Sequence, residues 1–145
     1  MLTPVSACRP LIIAMIVALL GAGPVTAQTN AHDVSQKASE TVEAIKSYSV
    51  EKKDDAVAYA RKVGADVDAH IKELKAQAAR QTGEAKAKSD ALVRDLDSKR
   101  AQAGRKASEM SRATKASWDK AKDAFADAYR EVAAAYDRAA AEIKK

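Results

Sequence analysis

Residues 118–143, WDKAKDAFADAYREVAAAYDRAAAEI, decide the fold. An α-helix turns about 100° per residue. Over this stretch that turn gathers Trp118, Ala121, Phe125, Tyr129, Val132, Tyr136, Ala140 and Ile143 into one sector roughly 100° wide. Asp119, Asp123, Asp127, Arg130, Glu131, Asp137, Arg138 and Glu142 take the other side, and Lys122 sits at the edge of the apolar stripe. Trp118/Tyr129/Ala140, Ala121/Val132/Ile143 and Phe125/Tyr136 repeat at eleven residues. An amphipathic helix of this length has to cover its stripe, and the upstream chain reads as what it packs against.

Working outward, the next clear run lies at residues 50–81. Ala56, Ala60, Val63, Val67, Ile71, Leu74 and Ala78 step by three and four, again close to an eleven-residue period. That period, about 3.67 residues per turn, favours nearly straight or slightly right-handed helix pairs. Gly64 falls inside the run and weakens it by about 1 kcal/mol relative to alanine. Gln81-Thr82-Gly83-Glu84 is the best turn signal, with glycine suited to a helix end and Glu84 to a first turn. Beyond it Ala85, Leu92, Leu96, Ala103, Ala107, Met110 and Thr114 form a poorer stripe, interrupted by Lys88, Lys99 and Gly104. Ser111–Ser117 is a second candidate break, where Ser117 can cap the aromatic segment. Upstream, Asp33 can cap a short helix over 33–46 carrying Val34, Ala38, Val42 and Ile45, ended by Ser47-Tyr48-Ser49.

The pattern predicts an all-α chain, elongated, with helices at about 50–81 and 84–144 folded into an antiparallel hairpin or coiled coil. The alternative, given a second break near 112–116, is a three-helix up-down-up bundle. No proline follows Pro24 and no alternating run suggests a strand. Asp68/Lys72, Glu84/Lys88, Asp90/Arg94 and Asp95/Lys99 place acid four residues before base, each supporting helix by about 0.2–0.5 kcal/mol.

Composition sets the compartment and the class. The 145 residues hold 47% hydrophobic and 31% charged side chains with 4% aromatics. Alanine supplies much of the apolar fraction, a signature of long helices rather than of a large globular core. Residues 1–27 read as a secretory signal peptide: Arg9, an apolar run from Leu11 to Ala22, then Gly23-Pro24 and Val25-Thr26-Ala27 before Gln28. Export to the periplasm follows, the alternative being an inner-membrane anchor through an uncleaved segment. Cys8 precedes the apolar run and would leave with it, so the mature chain has no disulfide or thiol chemistry. The domains are then the signal peptide, a polar segment with a short helix at 28–49, and a coiled-coil domain at 50–145 with its turn near 82–84.

Chemistry-bearing constellations are few. His32 and His70 are far apart with no cysteine between them, which gives a zinc site little support. Asp66, four residues before His70, reads as a surface ion pair. No nucleophile elbow, phosphate-cradling loop or paired carboxylates stand out, so neither catalysis nor a cofactor nor a metal is expected. Between Lys75 and Lys122 thirteen Lys/Arg face six Asp/Glu. Lys99, Arg100, Arg105, Lys106, Arg112 and Lys115 are candidate contacts to an anionic surface, with Lys120 and Lys122 in the same dense stretch. Trp118, Phe125, Tyr129, Val132, Tyr136 and Ile143 form the candidate association or lipid face.

The repeat in Ala/Lys/Asp/Glu-rich helices is similar to that of the group 3 late-embryogenesis-abundant proteins and the exchangeable apolipoproteins, without the punctuating prolines of the latter. Residues 48–101, YSVEKKDDAVAYARKVGADVDAHIKELKAQAARQTGEAKAKSDALVRDLDSKRA, and then ASWDKAKDAFADAY at 116–129, resemble small bacterial coiled-coil proteins of the stress-response type. The likeness runs from about Tyr48 to Tyr136. It implies long antiparallel helices and carries over no catalytic residue.

These readings lead to three functional expectations. The first is a non-enzymatic exported coiled-coil protein with a structural, interaction or envelope-stress role, partnered by itself or another protein through helix packing. The second is an amphipathic helix that binds anionic membrane surfaces reversibly. The third is a disordered hydration protectant. Nucleic acid is the weakest partner, since no docking motif accompanies the basic residues.

Overall fold

The computed structural model describes residues 29–145. The signal segment read at residues 1–27 lies outside them. Four helices follow one another: α1 (Thr29–Ser47), α2 (Lys53–Ala78), α3 (Gly83–Arg112) and α4 (Trp118–Ile143), with a 3-10 turn at Val50–Lys52. No strand occurs among the described residues, so the chain is all-α. None of these helices is long and apolar enough to cross a membrane.

Each connection has a local cause. Residues 79–82 close the α2–α3 turn, where Arg80 and Gln81 donate backbone N–H bonds three residues back in a tightened last turn. Thr82 is then extended and Gly83 takes φ +59°, a left-handed value that side chains disfavour. Between α3 and α4, Ala113 turns extended (φ −64°, ψ 140°), and the Thr114 N–H donates to Ser117 Oγ at 2.9 Å. A hydroxyl that takes a backbone donor in this way competes with helix continuation. The stretch 84–144 is therefore two helices, broken where the serine-rich segment indicated, and α1 packs as a full fourth member rather than a short prelude.

The helices run up-down-up-down. Neighbours pack as α1 with α2, α2 with α3, α3 with α4 and α4 with α1, and α4 also reaches across to α2. Antiparallel ties mark the α3–α4 pair, Lys88–Glu142 at 2.9 Å, Arg138–Asp95 at 3.2 Å and Lys99–Glu131 at 2.6 Å. Gln81 Nε2 donates to the Ile143 carbonyl at 3.1 Å at one end, and Lys53 Nζ to the Ala113 carbonyl at 3.3 Å at the other.

α4 is the centre of the bundle. Trp118, Phe125, Val132 and Ala139 are buried, as are Lys122, Tyr129, Tyr136 and Ile143, two rows that each advance by sevens. On α3 the buried positions are Ser89, Leu96, Ala103 and Met110, also seven apart. That is the coiled-coil spacing. Over one 26-residue helix the seven- and eleven-residue patterns share most positions; here they part at residue 122, where Lys122 is buried and Ala121 only half-buried. The α2 stripe from Ala56 to Ala78 is buried as its periodicity predicts, joined by Val57 and Gly64.

Candidate functional sites

The aromatic face of α4 turns inward. Trp118, Phe125, Tyr129, Val132, Tyr136 and Ile143 are all between 1% and 4% exposed. The sequence reading offered this face both to the upstream chain and, as a candidate, to another molecule or lipid; in the fold the other helices of the same chain cover it. Phe125 and Tyr129 stack at 5.7 Å between centroids with rings 23° apart.

At the end of the bundle where α1 stops and α4 starts, two side chains of α4 hold the close of α1. Trp118 Nε1 donates to the Tyr48 carbonyl at 3.0 Å. Lys122 Nζ donates to the carbonyls of Lys46 and Tyr48 at 3.1 and 2.9 Å and pairs with Asp119 at 3.2 Å. Its ammonium also lies 5.7 Å from the Trp118 ring centroid. A cation at the carboxyl end of a helix meets orphan carbonyls and the negative end of the macrodipole, which explains a lysine that is 9% exposed. The sequence signal for this role was a lysine one turn after a tryptophan, at the edge of the apolar stripe.

The six candidate anion-contact residues divide into two groups. Lys99 and Arg100 tie helices together and are not free surface cations. Lys99 Nζ meets Glu131 Oε2 on α4, and the hydrogen bond and charge of Glu131 push the lysine pKa above its ordinary value. Arg100 grips Asp68 on α2. Arg105, Lys106, Arg112 and Lys115 stay toward solvent near the close of α3. Lys106, Arg112 and Lys120 border an open groove of about 360 Å³ with Ser117 and Glu109, and Arg105 and Arg112 border a second of about 450 Å³. Lys106 is paired with Glu109 at 2.9 Å. Among the described residues, Arg105, Arg112, Lys115 and Lys120 have no carboxylate partner. The result is a basic corner shared by α3, the 113–117 connection and the start of α4.

A third place was not foreseen. Between α1 and α2 lies a cleft of about 180 Å³ bordered by Thr41, Asp66, His70 and Tyr129 among others. The Tyr129 hydroxyl is buried without a hydrogen-bond partner, one of two such atoms among the described residues, the other being Asp137 Oδ1. Burial raises the Tyr129 pKa well above that of a free phenol. Thr41 stands near enough to lower it slightly but outside hydrogen-bonding geometry, its own hydroxyl donating to the Lys37 carbonyl at 2.6 Å. The Asp66–His70 ion pair read from the sequence does not form. The imidazole instead meets Tyr136 edge-on, 6.3 Å between centroids. No group of three or more metal-ligating side chains occurs among the described residues.

Comparison with protein-family models, curated proteins and solved structures finds no match to this chain.

Proposed function

We propose that this chain is a non-enzymatic, exported helical-bundle protein that acts by surface contact, docking its basic corner onto an anionic membrane surface in the cell envelope. The observation that supports this is the set of Arg105, Arg112, Lys115 and Lys120, which lie along the end of α3, the 113–117 connection and the start of α4 and lack carboxylate partners among the described residues. Unpaired cations near an anionic leaflet each contribute about 1 kcal/mol of attraction, so four make a reversible but selective contact. The layout of residues 1–27 supports export.

The inward aromatic face separates this from insertion of α4 into lipid. Docking leaves Trp118 where it is; insertion requires the bundle to open. Co-sedimentation of the purified protein with phosphatidylglycerol vesicles, and with phosphatidylcholine vesicles as the neutral control, tests it. Binding is expected to anionic vesicles alone, to fall with salt, and to drop at least about tenfold when Arg105, Arg112, Lys115 and Lys120 are all replaced by glutamate. Equal binding to neutral vesicles, or a charge-reversed variant that binds as before, rejects the proposal. Quenching of Trp118 fluorescence by brominated lipid would favour the opened, α4-inserted state instead.

A further inference from the structure

We infer that α1 is exchanged between two copies of this chain. The α1–α2 turn straightens so that residues 29–78 form one helix, and α1 then packs on α4 of the second copy, giving a closed two-fold dimer. The α1–α2 turn is built differently from the other two. The α2–α3 turn has Gly83 at a left-handed φ, and the α3–α4 connection has the Ser117 hydroxyl on the Thr114 N–H. Residues 48–52, Tyr-Ser-Val-Glu-Lys, contain neither glycine nor proline. Ser49 makes no side-chain capping bond, and its φ of −82°, like the −104° of Lys52, suits any residue. Serine, tyrosine and valine are middling helix formers rather than breakers, so the stretch bends without being obliged to.

What holds this turn comes from α4. In an unbroken helix the Lys46 carbonyl accepts from the Val50 N–H, and the Tyr48 carbonyl from the Lys52 N–H. Here Lys122 Nζ takes both carbonyls, at 3.1 and 2.9 Å, and Trp118 Nε1 shares the second at 3.0 Å. The Lys52 N–H turns to the Ser49 carbonyl instead. The Tyr48 and Tyr59 rings close the corner, 6.5 Å apart. On a continuous helix the same two residues would be separated by about 16 Å along the axis. A turn whose freed carbonyls are met by a distant helix opens when that helix lets go.

The seam that α1 vacates fixes its new occupant. α1 buries Val34, Ala38, Val42 and Ile45, and it packs more extensively on α4 than on α2. The α1 of a second copy has the same row and restores the same helix–helix contacts, so exchange sacrifices only the clasp and the turn. The order of the helices allows it. In a two-fold pair of straightened helices each α1 runs antiparallel along the α2 of the other copy, as it does within one chain. Such a pair closes and leaves no α4 seam open for a third copy. α2, α3 and α4 stay joined through their own turns and seams. The exchange stands or falls independently of membrane docking.

Light scattering on the purified protein in reducing buffer, after refolding from urea over a range of chain concentrations, measures the dimer. Its fraction is expected to rise with the concentration at which the chain refolds. In dimers of ¹³C-labelled and unlabelled chains, isotope-filtered NOEs from the Val42 and Ile45 methyls to α4 should cross between copies. Ser47→Ala with Ser49→Ala favours the straight helix and should raise the dimerisation constant about tenfold. Lys122→Met loosens a clasp that only the monomer has, and should raise it too. Ser49→Pro suits the turn but not a helix interior. It should lower the constant at least about a hundredfold and leave the helix content of the monomer unchanged. Absence of dimer from the alanine variant at every concentration, α1–α4 NOEs that stay within one copy, or a Ser49→Pro chain that dimerises as before would overturn the proposal.

Discussion

Arg100 grips Asp68 with two hydrogen bonds, Nε to Oδ1 at 2.6 Å and Nη2 to Oδ2 at 2.9 Å, joining α3 to α2. The guanidinium lies where two glycines leave room. A Cβ on Gly64 would meet Nη2 at 2.8 Å, and one on Gly104 would meet Nη1 at 3.4 Å. Both weak points in the helical pattern thus make space for one planar head group.

A coupling between Gly64 and Arg100 follows. Alanine at 64 gains about 1 kcal/mol of helix propensity but displaces the guanidinium. Because both partners are partly exposed, the fork is worth at most about 1 kcal/mol. Gly64→Ala is therefore expected to be near neutral in the native background and stabilising by about 1 kcal/mol beside Arg100→Ala. Urea denaturation of the four members of the cycle measures it; equal effects in the two backgrounds would contradict it.

Lys122 supports the end of α1 rather than the surface. Lys122→Met keeps the apolar stem, strands the Lys46 carbonyl and leaves the Tyr48 carbonyl to Trp118 alone. A loss of about 1–3 kcal/mol is expected. Hydrogen exchange should speed up around residues 44–49 before it does in α2 or α3. Uniform loosening of the whole bundle would show that the lysine acts only through packing.

Gly83 is needed for its backbone angle alone. No atom lies within 4 Å of a Cβ placed there, so substitution meets no clash. Gly83→Ala should cost about 1–2 kcal/mol, the penalty of a left-handed residue, and Gly83→Asn less than that. A thermal melt in which alanine and asparagine behave alike would place the cost elsewhere.

The buried tyrosines set an alkaline limit on stability. Burial pushes the Tyr136 pKa from 10.0 up to about 12, and raises that of Tyr129 as well. The folded state thus holds these protons more tightly than the unfolded chain. The contribution is complete below pH 10 and is lost as pH climbs through about 12. Phenolate absorbance should show two tyrosines ionising late and together with loss of helix. Tyr129 and Tyr136 ionising near pH 10 with helix intact would refute the burial.

Much of this architecture was legible in the sequence. The α2 stripe, the α4 stripe and the breaks near Gly83 and Ser117 follow from helical periodicity and turn chemistry, which act locally. What covers a stripe is not local. Periodicity marks the apolar face of α4 but does not say whether its own chain or another surface meets it. The roles of Lys99 and Arg100 were hidden for the same reason, since each depends on a carboxylate 32 residues away. The cleft over Tyr129 needs α1, α2 and α4 side by side, and no single window of sequence contains it.

The central position of α4 has a consequence for the order of assembly. Synthesis runs from the amino end, so α1, α2 and α3 exist for a time without the helix that most joins them. α1 and α3 meet chiefly through it, and α3, with its narrow row Ser89, Leu96, Ala103 and Met110, packs more extensively on α4 than on α2. Until Trp118–Ile143 arrives the growing polypeptide lacks its most extensive packing partner, and the bundle closes around this latecomer.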